Sequence, residues 1–233
     1  CNGVRGNMRL WFGLVIGVVG VGILLWLGSW QVQRLIWKQD LLARIDAQIT
    51  AAPVPLQRAL KPEFRRYAPV TVAGQFSTGH IRMLASRKST GPVHRIIRPF
   101  VTEGYGTVLV DTGWQRDGAN VREVTPNRIT IIGNLDNPIE ADGFTPAPDL
   151  DANLWFARDV PAMAVALDAQ PVLIVLRDAS ETDLGVTPWP VDTAGIPNDH
   201  LQYAITWFSL ATIWLVMTIY FIRPSRRSTT RKD

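Results

Sequence analysis

The chain is nearly devoid of cysteine. Among 233 residues only Cys1 carries a thiol, so neither an intrachain disulfide nor a Cys-x-x-Cys redox or zinc pair can form. The common catalytic signatures are missing too. There is no Gly-x-Ser-x-Gly elbow, no His-Glu-x-x-His pair and no P-loop. The nearest glycine pattern, Gly104-Tyr105-Gly106, lacks the third glycine and following helix of a dinucleotide site. A copper carrier would show paired cysteines or clustered Met and His, whereas Met8, Met83, Met163 and Met217 are scattered. These absences point away from an enzyme. The net charge of +4 comes without the interleaved basic and aromatic residues that grip single strands, so nucleic acid is not an expected partner.

Charge is absent from two long stretches. Residues 10–30 and 201–222 contain no Asp, Glu, Lys or Arg. About 20 apolar residues span a hydrocarbon core, so each stretch predicts a transmembrane helix, at 10–30 and at 200–222. The first is too long for the apolar part of a signal peptide and ends on Gly28-Ser29-Trp30-Gln31, a poor cleavage site; it reads as a retained anchor. Met8 reads as the start, with residues 1–7 an upstream extension. Arg223, Arg226, Arg227, Arg231 and Lys232 follow the second span, and residues 181–199 before it hold four acids and no Lys or Arg. The positive-inside rule then puts both termini, 1–9 and 223–233, in the cytoplasm and the middle outside, on the periplasmic face of a cell inner membrane. The lipid bilayer is thus the first expected partner.

Gly13 and Gly17 make a small-x-x-x-small pair that lets another helix approach closely; general glycine enrichment of membrane helices reads the same. Trp26, Trp30 and Trp37 suit the outer interface. Leu35, Leu41, Leu42, Ile45 and Ile49 continue at helical spacing until Pro53, making 31–64 a helical extension and connector.

The middle predicts strands at 67–76, 80–85, 94–101, 107–114, 128–135 and 171–177, each bounded by turn residues. A short helix is expected at 159–167, with Asp159 as cap and Pro161 in its first turn. Residues 65–180 therefore form one α+β domain with a mostly antiparallel sheet that could curl into a barrel. Pro188, Pro190 and Pro197 make 181–199 a linker. His80 and His94 fall on strands and read as surface or packed residues.

His200 differs, because it opens the second span. His200, Tyr203, Ala204, Trp207, Ala211 and Trp214 recur at three- and four-residue spacing and are expected on one helix face. An imidazole above small residues and aromatic surfaces could ligate a haem iron. It could equally be an interfacial histidine that caps the helix beside an aromatic belt.

Several blocks resemble the Surfeit locus protein one family. Leu27-Gly28-Ser29-Trp30-Gln31 with Arg34 and Trp37-Lys38 is similar to the family's first-helix signature, and His200-Leu201-Gln202-Tyr203-Ala204-Ile205-Thr206-Trp207-Phe208 to its second. Residues 67–76 match Y-x-x-V-x-V-x-G-x-F, and Val108-Leu109-Val110-Asp111-Thr112-Gly113-Trp114 resembles V-L-V-x-x-G-W. Thr112 stands where the family often has Arg, and 115–127 and 141–152 fit no family block.

The resemblance implies an assembly factor for haem-copper cytochrome c oxidase, a non-enzyme that aids haem A delivery to the catalytic subunit. The family's proposed haem iron ligand corresponds to His200, with Tyr203 and Trp207 beside it in the cofactor site. The implied partners are the oxidase catalytic subunit and a haem A synthase. The competing reading is a structural docking factor that stabilises an oxidase intermediate without binding haem.

Overall fold

The computed structural model describes residues 2–61, 66–179 and 183–223, with side chains from residue 11 onward. The tail cations Arg226, Arg227, Arg231 and Lys232, on which the predicted orientation partly rests, lie outside the described residues. The chain order is α1 (Asn2–Ile49), β1 (Val54–Pro55), α2 (Leu56–Ala59), β2 (Pro69–Phe76), β3 (Ile81–Arg87), β4 (Gly91–Thr102), β5 (Gly106–Arg116), β6 (Ile129–Asp136), β7 (Leu154–Trp155), α3 (Val160–Ala166), β8 (Leu173–Ala179) and α4 (His200–Ile222). Two compact units result. One holds the chain up to Ala43 together with the chain from Ala194; the other is Arg44–Thr193.

In the first unit, α1 and α4 are each long and apolar enough to cross a membrane. Their outer faces carry exposed Trp11, Phe12, Val18, Ile23, Ile205, Ile213 and Tyr220. Such a surface suits lipid and not water. The indoles of Trp30 and Trp37 flank the Arg34 guanidinium, whose carbon lies 5.8 and 5.3 Å from the two ring centres.

The second unit is built on one mixed, mostly antiparallel sheet in the order β1-β2-β6-β8-β5-β4-β3-β7, with β2 also pairing β4. That extra pairing makes a partial ring of five strands, the curled form that the liability of open edges makes possible. β4 is long enough to serve two neighbours on one edge: its first part pairs with β3, and Phe100, Val101 and Thr102 pair with Phe76, Gln75 and Gly74 of β2. The Phe76 and Phe100 rings meet edge to face with centres 4.9 Å apart. Gly74 permits the closure, because a Cβ there would lie 2.1 Å from the Val101 carbonyl oxygen.

Both faces of β5 and β8 are buried, so successive residues serve different cores. Val108, Val110 and Ile174 join Phe76, Phe100, Ile131 and Leu135 inside the ring. Leu109 and Leu173 point the other way, to Met163 and Val160 of α3. Asp159 caps α3 by accepting from the Ala162 N–H at 3.1 Å, with Pro161 in the first turn. The predicted strands and helix are present with shifted ends. The two-residue strands β1 and β7 and the single turn α2 were not anticipated, because so short a segment carries no period to read. Nor were the parallel pairings β1–β2, β3–β7 and β5–β8.

The Val-Leu-Val-Asp-Thr-Gly-Trp block has a structural account. Asp111 is fully buried and takes a 2.6 Å hydrogen bond from Arg95 Nε. Burial pushes the Asp111 carboxyl up from its ordinary value, while Arg95 and Arg158 pull against it. Arg95 also donates to the Trp189 carbonyl and lies 4.4 Å from the centre of that ring. Trp114 exchanges two 2.8 Å backbone hydrogen bonds with Thr187. Residues 183–189 are therefore strapped onto β5 and are not a free linker over that part. Gly113 sits under the strap at φ +127, where a Cβ would meet the Thr187 oxygen at 2.2 Å. Replacing Gly113 with alanine should combine backbone strain with this clash and cost about 2–4 kcal/mol. Gly118→Ala, also at positive φ but in open space, should cost about 1 kcal/mol. Thermal melts of the purified variants followed by circular dichroism would check the order, and equal losses would refute the strap.

Candidate functional site at the head of the helix pair

The helix pair is set by spacing. On α1 a series of residues withdrawn from the surface, Gly17, Val21, Leu24, Gly28, Gln31, Leu35, Lys38 and Leu42, steps alternately by four and three, with Gly20, Leu27 and Val32 beside it. On α4 the withdrawn residues are His200, Ala204, Trp207, Ala211, Thr218 and Ile222. A 3.5-residue period keeps one seam facing its partner along a left-handed coil. Small residues decide how close the helices come. A Cβ on Gly17 would meet Thr218 Cγ2 at 2.1 Å, one on Gly20 the Trp214 indole at 2.4 Å, and one on Gly28 the Phe208 ring at 2.7 Å. Gly17 thus receives a helix of its own chain, whereas Gly13 has nothing within 4 Å.

At the head of the seam the small residues give way to polar ones. His200 Nδ1 lies 2.8 Å from Gln31 Oε1, and Gln31 is 9% exposed. Two turns further along α1, Lys38 Nζ donates to the Pro197 carbonyl. The carboxamide oxygen can only accept, so the imidazole donates from Nδ1. A neutral imidazole in this contact keeps its lone pair on Nε2, on the far side of the ring. This is the arrangement by which an outer hydrogen bond orients a metal-binding histidine.

The expected six-residue face divides in two. His200, Ala204, Trp207 and Ala211 turn toward α1, and Ala204 and Ala211 are fully packed. Tyr203 is 54% exposed and sits on the flank beside the seam. Tyr203, Trp207, Leu210, Trp214 and Met217 step by four and three along that flank. His200 and Trp207 are brought together with α1; Tyr203 borders them without touching the seam. Sequence reasoning missed Gln31, although it sits in the first-helix block; only the antiparallel register pairs it with His200.

Elsewhere, among the described residues, no group of three or more His, Cys, Asp or Glu is placed to hold a metal ion. His80 and His94 are both pushed below their ordinary values, chiefly by burial. His94 Nδ1 lies 3.5 Å from Asp117 Oδ1, too far for a good hydrogen bond.

An antiparallel pair of helices, each long and apolar enough to cross a membrane, and a β-rich domain carried by the same chain describe a candidate membrane protein. The SURF1 family model matches residues 18–212. The SURF1-like protein of Rickettsia prowazekii is 30% identical over 212 residues, 85% of either chain. That of Rickettsia felis is 29% identical over 86% of this chain and 92% of its own. Surfeit locus protein 1 of Rattus norvegicus is 28% identical over 86% of this chain and 71% of its own. The chain belongs to the SURF1 family, whose members are known as cytochrome oxidase assembly factors.

Helix spacing makes the first test. Gly28→Val should force Phe208 aside and weaken the pair by about 1–3 kcal/mol. Cysteines placed at Leu24 and Ala211 should cross-link in the otherwise unchanged protein and lose most of that yield in Gly28→Val. Gly22→Val, whose new side chain meets open space, should keep it. Undiminished cross-linking in Gly28→Val would mean the helices do not meet in this register.

Proposed function

We propose that the protein holds haem A through His200 and hands it to the catalytic subunit of a cytochrome c oxidase during assembly. The observation that carries this reading is the hydrogen bond from His200 Nδ1 to Gln31, which leaves Nε2 as a ready ligand for haem iron. Haem supplies the iron; the protein supplies one oriented imidazole, with the Tyr203 and Trp207 rings beside it. A single axial histidine holds the group against loss yet yields to a pocket that offers two. Haem is too apolar to cross water unaided, and a carrier in the bilayer avoids that cost. The β-rich domain would dock on the oxidase subunit or on a haem A synthase. Both termini would lie in the cytoplasm and that domain in the periplasm, following the charge asymmetry around α4.

A second reading rests on a different observation. Ala204 and Ala211, expected to make room for a macrocycle, are filled by α1. The Gln31–His200 pair could then be an interhelical tie in a docking factor that never touches haem.

The readings separate in the reduced-minus-oxidised absorption spectrum of protein purified from cells that make haem A. Under the carrier reading the wild type carries haem A, His200→Ala carries none, and Gln31→Leu binds it about 10- to 100-fold more weakly. Wild type free of haem yet still associated with the oxidase subunit would sink the carrier reading and leave the docking one.

A further inference from the structure

The flank that begins at Tyr203 leads somewhere. Below Trp207 the two helices leave an apolar groove of about 360 Å³, lined by Gly20, Ile23, Leu24, Leu210, Ile213 and Trp214, with Met217 at its lower end. Met217 and Trp214 continue into a second groove of about 340 Å³ beside Gly13 and Gly17. Gly13 leaves the second groove open on α1, since a Cβ there would meet nothing within 4 Å. Tyr203 and Trp207 share the flank of α4 with Leu210, Trp214 and Met217, so one stripe runs from the head of the seam into the groove.

Distance narrows the occupant. Leu210 and Met217 lie ten and seventeen residues below His200, or about 15 and 25 Å down a helix rising 1.5 Å per residue. A porphyrin bound at His200 cannot itself reach that far. An extended chain of three isoprene units, about 15 Å long at roughly 1.3 Å of advance per bond, attached to the porphyrin rim, reaches past Leu210 into the groove. The lining is aliphatic and aromatic, with the Trp214 indole N–H as its polar point, as an unsaturated hydrocarbon tail requires.

We infer that this groove seats the isoprenoid tail of a haem whose iron is held at His200, so that the helix pair selects tailed haems over untailed ones. The inference rests on the haem-carrier reading above and adds the basis of selection. The groove acts as a ruler: the imidazole sets one end, and the length of apolar lining below Trp207 accepts or rejects the substituent on the ring.

The test compares haem O, which carries the tail without the formyl group of haem A, with haem B, which has neither. Each is titrated by absorbance into the full-length protein in lipid nanodiscs. The quantity read is the haem O to haem B affinity ratio relative to a control variant, so that partition into lipid cancels. Leu210→Trp fills the groove from an exposed position on α4, and Ile23→Trp fills it from an exposed position on α1. Ile205→Trp, exposed outside the groove, is the control. The expected result is a ratio at least tenfold higher in wild type and Ile205→Trp than in Leu210→Trp, with Ile23→Trp following Leu210→Trp. Should both haems bind through His200 with a ratio that filling the groove does not change, the tail lies elsewhere. The groove then belongs to a lipid chain or a partner helix, and the carrier reading survives alone. Should neither haem bind, the carrier reading falls, and this inference with it.

Discussion

A carboxamide and an imidazole at the head of two apolar helices must satisfy each other, since hydrocarbon offers no alternative partner. Gln31 and His200 do so across 169 residues of sequence. That hydrogen bond and the glycine contacts below it share one register, in which α1 and α4 run antiparallel. With His200 opposite Gln31, Phe208 falls opposite Gly28, Trp214 opposite Gly20 and Thr218 opposite Gly17. Each bulky α4 residue then meets a glycine. A slip of four residues would set the Phe208 and Trp214 rings against Leu24 and Ile16, or against Val32 and Leu24, and the seam could not close. The polar lock specifies; the glycines supply the close approach that dispersion needs.

The β-rich domain solves a related problem in water. A five-stranded ring needs one strand to leave one neighbour and join another, and β4 does this along its length. The crossing point is crowded, which is why Gly74 stands there. A buried charge must also be answered: Asp111 is met by Arg95, and Arg95 in turn by Trp189. Removing one partner of such a pair is far costlier than never having built it. The strap through Thr187 and Trp189 thereby becomes part of the domain, although its prolines made it read as a linker.

Periodic features were legible in the sequence and positional ones were not. Uncharged runs of helical length announced α1 and α4, and the alternation of Val70, Val72, Gly74 and Phe76 announced β2 with its inward face. Asp159 and Pro161 marked the start of α3. Ring closure was only a possibility, because strand order depends on which edges meet and no local pattern records that. The site was half legible. His200 stood out as an imidazole at the start of an apolar helix. Gln31 looked like one polar residue among several past the end of α1's apolar run, and its role depends on a register set by glycines three to fourteen residues earlier. The assumed single face of α4 failed for a geometric reason: a packed antiparallel helix hides only a narrow seam, so residues three apart can fall on either side of its edge. Tyr203 lies just beyond that edge.

The division of α4 into seam and flank bears on what the helix pair can hold. A macrocycle cannot share the seam with α1, since Ala204 and Ala211 are already covered. Under the proposed carrier reading, His200, Tyr203 and Trp207 would hold the haem from the flank, outside the seam, where the lipid side would stay open for release. A site buried between the helices would have to break the Gln31–His200 lock and the glycine contacts each time it discharged its cargo, whereas a flank site keeps the helix pair intact throughout.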